Sequence, residues 1–198
     1  RTYLPFVITG KELKRLYWGE VMGATSIAQR YNVSIWQVFK KLRKYKIPRR
    51  TTTETNNLRF MRKPPSYNFK KHLTLEEKIL YNSAVMLYWG EGAKSSGTCV
   101  DLANGDERMA LLFLKALREV FVIDESKLRG HLYCYANQNV KELELYWSRL
   151  LNIPLNKFMK SYVRQDFNPK KNGKLPHGVM HIIYHDKKLY MQIMGEIG

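Results

Sequence analysis

The chain has 198 residues, 44% of them apolar. That is enough for one sizeable core or two smaller ones, and no uninterrupted apolar run approaches the roughly 20 residues of a membrane span. The formal net charge is +17, and residues 1–74 hold 17 Lys and Arg against 3 Asp and Glu, whereas residues 75–198 hold 17 against 14. Such asymmetry implies an N-terminal part that seeks a polyanion, because phosphate neutralisation and counterion release drive nucleic-acid affinity. It argues against a membrane partner, since the basic run lacks the wide apolar face of an interfacial helix. The cysteines, Cys99 and Cys134, show no metal-ligand spacing. They fit reduced thiols in the cytoplasm or nucleoid, and no secretory leader is legible.

In chain order, Thr9-Gly-Lys-Glu12 has the form of a capping box and predicts a helix from about Gly10. Leu13, Leu16 and Tyr17 form its apolar stripe. After Gly23 a second helix is predicted near Thr25, with Ile27, Ala28 and Tyr31 inward, and Asn32 is placed for a left-handed turn. A third helix over 34–44 buries Val38 and Leu42. SIAQRYNVSIWQVFKKLRKYKI resembles the helix-turn-helix of DNA-binding proteins, so residues 1–47 are expected to form an all-α DNA-binding domain. Ile35, Trp36, Gln37, Lys40 and Lys41 are candidate base readers at the start of that helix, although Trp36 at helical spacing also suits a core. Arg43 and Lys44 are candidate phosphate contacts.

Residues 48–73 lack a period and contain Pro64-Pro65. They read as a basic extended linker, with Arg49, Arg50, Arg62 and Lys63 near phosphates. Thr74-Leu-Glu-Glu77 then starts a helix that is apolar nearly all round towards its end. Strands are predicted over 98–103, 127–136, 156–163 and 178–184, and helices over 105–122 and 140–151 and from about Asp186. Interleaving of this kind predicts an α+β sandwich over residues 74–198, its sheet antiparallel or mixed.

The string LYWGE occurs twice, at 16–20 and at 87–91, and only the second is followed by Gly. A carboxylate at a helix C-terminus opposes the helix dipole, so Glu91 asks for a reason that a bound cation would supply. Ala84-Val-Met-Leu-Tyr-Trp-Gly-Glu-Gly92 resembles the motif of the LAGLIDADG homing endonucleases, with Met86 where that family usually has Gly. The likeness continues through the turn at 104–106, the helix ending YWSRLLNIP and the strand GVMHIIY.

The resemblance implies that Glu91 binds a divalent metal such as Mg²⁺ at scissile phosphates. It also implies that Ala84, Leu87 and Gly90 lie at a helix contact between two copies, and that a single-motif chain acts on double-stranded DNA as a homodimer. Lys94 and the basic stretch 157–174, including Lys157, Lys160 and Arg164, are expected beside the DNA, Lys94 with a share in catalysis. A non-cleaving DNA-binding regulator and an intron RNA splicing cofactor are the alternatives. His177, His181 and His185 recur every fourth residue; on a strand each step spans about 13 Å, too far to share an ion.

Overall fold

The computed structural model describes residues 6–95, 97–165 and 175–198. They fall into two compact units, Arg1–Pro64 and Pro65–Gly198.

In the N-terminal unit the Thr9 hydroxyl accepts the Glu12 amide and starts α1 (Gly10–Lys14), which passes into a π-helical turn over Arg15–Gly19. There the Glu20 N–H donates to the Arg15 carbonyl at 2.7 Å, a five-residue step. Helices α2 (Ala24–Arg30) and α3 (Ile35–Lys44) follow, joined through Asn32 at φ 50°. Leu13, Leu16, Tyr17, Ile27, Ala28, Val33, Val38 and Leu42 make the core. Trp36 is 67% exposed and belongs to the surface.

The supposed linker 48–73 is not a tether. Thr51 and Glu54 form a capping box at the start of α4 (Thr52–Arg62), a helix without one buried residue. Arg62 of α4 donates to the carbonyls of Gly19 and Glu20. The remainder of the stretch packs into the C-terminal unit, where Tyr67 and Phe69 lie against Phe121. The Ser66 N–H donates to Asp186 Oδ2 at 2.8 Å, and Tyr184 donates to the Ser66 carbonyl.

The C-terminal unit runs α5 (Leu75–Glu91), β1 (Val100–Asn104), α6 (Glu107–Glu119), β2 (Leu128–Tyr135), α7 (Val140–Leu151), β3 (Tyr162–Arg164), β4 (Val179–Tyr184) and α8 (Lys187–Ile197). The sheet order is β1-β4-β2-β3, with β4 antiparallel to both its neighbours and β3 parallel to β2. The fold is therefore mixed α+β, with eight α-helices and a four-stranded mixed sheet among the described residues, none of whose helices is long and apolar enough to cross a membrane.

The strand predicted over 156–163 shrinks to three residues. Pro154 opens a 3₁₀ turn (Leu155–Lys157) instead, and Phe158 packs on Gly130, where an added Cβ would lie 3.1 Å from its ring. Helix α6 also starts later than predicted, because Asp106 rather than Asn104 is its cap.

One sheet face carries Leu128, Leu132, Cys134, Met180 and Ile182 into a core shared with Ala84 and Tyr88 of α5, Phe113 and Leu117 of α6, Trp147 of α7 and Leu189 of α8. Alternation leaves Asp101, Arg129, His131, Tyr133, Tyr135 and His181 on the other face, each partly accessible.

Candidate nucleic-acid and metal-binding surfaces

Helix α3 owes its start to Ser34, whose hydroxyl accepts the Gln37 N–H while Gln37 Oε1 accepts the Ser34 N–H at 2.9 Å. Val38 and Leu42 face the core, so Ile35, Trp36, Lys40, Arg43 and Lys44 stand on the outer arc. Lys40 Nζ lies 5.2 Å from the centre of the Trp36 ring, and Lys41 Nζ is 5.9 Å from that of Tyr45. With Phe6 and Gln37, these basic side chains and Trp36 line an open groove of about 650 Å³.

The structure thus keeps most of the predicted surface of α3 together but changes the part Gln37 plays. Its carbonyl oxygen is committed to the cap, and adenine recognition by Gln needs both that acceptor and the amide donor.

Other predicted DNA contacts divide in the same way. Arg49 is exposed, its guanidinium 4.1 Å from the Phe39 ring. Arg50 is drawn inward: it stacks 4.2 Å from Tyr17 and donates to the Met22 carbonyl at 2.7 Å. Two of its nitrogens are buried without a partner among the described residues. Arg62 caps the π-helical turn. Both are structural in this unit, because their planar guanidinium forks match backbone carbonyls and aromatic faces.

Lys63, Lys160 and Arg164 are exposed. Lys157 instead donates to the Glu125 carbonyl at 2.7 Å and is a brace of the 3₁₀ turns. Residues 166–174 of the predicted basic stretch lie outside the described residues.

The second LYWGE closes α5. Tyr88 is fully buried, and its hydroxyl donates to the Ala93 carbonyl at 2.9 Å; burial pushes the pKa of that hydroxyl up to about 12. The helix ends where the backbone turns extended at Gly92, a position that requires glycine because a Cβ there would come within 2.5 Å of the Tyr88 ring and of its carbonyl oxygen. The chain then pairs with β1, Gly92 opposite Leu102. This fixes the Glu91 carboxylate at the helix terminus beside the sheet, exposed and without an ion pair among the described residues. Lys94 Nζ turns back to the Gly92 carbonyl at 3.2 Å, a helix-capping contact rather than a pair with Glu91.

The residues expected at a helix contact do not share an exposed face. Ala84 is 1% exposed within its own core, and Leu87 packs partly against the same core. Of the three expected residues, Gly90 alone is exposed. The free stripe consists of Leu75, Ile79, Met86 and Trp89, between 53% and 76% exposed. Their steps of four, seven and three residues keep them on one arc of the helix.

The accessible sheet face brings together residues that no sequence motif joins. His181 Nδ1 donates to Asp101 Oδ1 at 3.0 Å, and the His181 ring lies 4.2 Å from Tyr133. Tyr133 continues to Tyr162 at 5.0 Å. His131 sits opposite His181 and donates from Nε2 to the Lys160 carbonyl at 3.1 Å; burial, and then His181, hold its imidazole below the ordinary value. The alternation in LRGHLYCY carries this face, with Arg129, His131, Tyr133 and Tyr135 at one parity.

His177 pairs with Glu107 at 2.6 Å, so it and His181 serve separate carboxylates. Among the described residues no group of three or more His, Cys, Asp or Glu is placed to hold a metal ion. No family model, curated protein or solved structure matches the chain.

Proposed function

We propose that the protein is a metal-dependent, site-specific DNA endonuclease that acts as a homodimer, with its N-terminal unit extending the DNA footprint as a helix-turn-helix module. The observation that carries this reading is the conjunction at α5. An apolar stripe, exposed over most of the helix, runs towards a helix end that presents a carboxylate unpaired among the described residues. Exposed apolar side chains of that size on one helix arc call for a cover, and a second copy of the chain would supply both that cover and a second Glu91 carboxylate.

A single Glu91 offers too few oxygens for a resident divalent cation, and two copies together with DNA phosphates and water offer the hard oxygen set that Mg²⁺ takes. Bound there, Mg²⁺ would supply an activated water and neutralise charge developing on the phosphate. The chain's own side chains do the rest: the basic arc of α3 and the aromatic and basic sheet face position the duplex, and Glu91 supplies the anchoring carboxylate. Lys94, held by the helix cap, is a neighbour of the site and a secondary candidate for steadying charge.

Incubation of the full chain with Mg²⁺ and a plasmid carrying the sequence flanking its own gene is expected to yield linear product that disappears in chelator. Binding without cleavage would favour a DNA-binding regulator on the same scaffold. The solitary Glu91 favours that second reading if the chain remains monomeric on DNA.

A further inference from the structure

The first turn of α3 carries an unusual division of labour. Its polar candidate, Gln37, has its acceptor oxygen spent in the capping box with Ser34. The two side chains left free at the tip are apolar: Ile35 is 42% and Trp36 67% exposed, and neither is needed by the core that Val38 and Leu42 fill. Positive charge begins one turn later, with Lys40 close to the Trp36 ring and Arg43 and Lys44 beyond it.

In the major groove the base edges of guanine, cytosine and adenine present hydrogen-bonding groups that an apolar side chain would desolvate without pairing. Thymine alone adds a 5-methyl group that such a side chain can bury. Lysines and arginines along the rest of the helix are long enough to reach phosphates and carry no such selectivity.

We infer that Ile35 and Trp36 are the specificity-determining residues of the N-terminal unit, and that what they read is the 5-methyl group of thymine in the major groove. This rests on the reading of that unit as a DNA-binding module. It sharpens that reading into a chemical class of target: a thymine-containing step at the centre of the half-site, held by apolar contact rather than by hydrogen bonds. Trp36, braced by the Lys40 ammonium, supplies the larger contact and Ile35 the smaller.

The test uses the full chain and four duplexes of equal length and charge: alternating A·T, its A·U counterpart, alternating G·C, and G·C carrying 5-methylcytosine. A·U differs from A·T in the major groove only by the missing methyl, and 5-methylcytosine restores a methyl at the same edge. Binding is measured by fluorescence anisotropy at fixed salt. Burial of one methyl is worth about fourfold in affinity, so A·T is expected to bind roughly fourfold tighter than A·U for each methyl contacted. Methylated G·C is expected to gain over G·C in the same sense.

Trp36→Ala and Ile35→Ala, both at exposed positions and checked for an unchanged melting curve, are expected to bring A·T and A·U towards equal affinity. Lys44→Ala is expected to weaken all four alike and to lower the salt dependence by about one ion. Equal binding of A·T and A·U by the wild-type chain would overturn the inference, as would a Trp36→Ala variant that weakens every duplex equally, the mark of unselective stacking. Failure to bind any of the four would instead overturn the DNA-binding reading itself.

Discussion

Two copies of LYWGE, identical in letters, meet opposite fates. In the first, Tyr17 is buried and Trp18 donates to the Pro48 carbonyl. The backbone opens into a π-helical turn, and Glu20 is held by Arg15 and, at 3.7 Å, by Arg30. In the second the backbone stays α-helical to its end, Tyr88 is buried, and Trp89 and Glu91 are exposed, Glu91 without an ion pair among the described residues. Five residues do not determine a role. Their neighbours do: a positive-φ valine, Val21, and two arginines in one case, and a glycine joined to a strand in the other.

The difference predicts separable effects. Glu91→Gln is expected to lower DNA cleavage by at least roughly a hundredfold with an unchanged melting temperature, whereas Glu20→Gln leaves cleavage as it is; initial rates on a plasmid target compare the two. Exchanging the residue that comes after each copy should be equally one-sided. Gly92→Val forces a side chain into Tyr88 and is expected to cost about 2–3 kcal/mol in urea unfolding. Val21→Gly removes a β-branched residue from φ 55° and is expected to be neutral or to stabilise by about 1 kcal/mol.

The tryptophans should divide in the same way. Trp18→Ala is expected to destabilise by about 2 kcal/mol. Trp89→Ala should leave stability within about 0.5 kcal/mol while weakening self-association by tenfold or more in sedimentation.

The C-terminal unit also carries an acid-sensitive tie at a buried carboxyl, Asp186. Burial pushes the Asp186 carboxyl up, but hydrogen bonds from Ser66 and from the start of α8 outweigh it and hold the group below its ordinary 3.8. The unfolded chain therefore binds this proton more readily. The stabilisation is complete above about pH 4 and is lost as pH falls through the lower folded value. Asp186→Asn is expected to flatten that part of the acid unfolding profile, the smallest of these effects at neutral pH.

Much of this was legible in local pattern. The Thr74 capping box starts its helix where predicted, and Asn32 takes the left-handed turn. At Thr9 the hydroxyl alone caps, while the Glu12 carboxylate turns to Arg15 instead of closing the predicted box. What escaped depends on partners distant in sequence, or on patterns that do not bury anything. Helix α4 has no apolar stripe to announce it, although Thr51-x-x-Glu54 carries its capping box openly, as Ser34-x-x-Gln37 does for α3. The inward turn of Arg50 and Arg62 depends on Tyr17, Gly19, Glu20 and Met22, with no sequence period linking them. Because α5 is apolar nearly all round, its sequence does not fix which arc faces the core. Ala84 therefore lies inside, and Met86 and Trp89 hold the outer position expected for it.

Mixing tests the pairing of two Glu91 carboxylates most directly. Wild-type chain, held at constant concentration, is titrated with Glu91→Gln chain on supercoiled target plasmid in Mg²⁺, and linear and nicked products are counted. A shared site predicts that linear product falls as mixed pairs replace wild-type pairs. Linear product that stays constant, when the variant is shown to exchange into dimers and cannot cleave by itself, would contradict it.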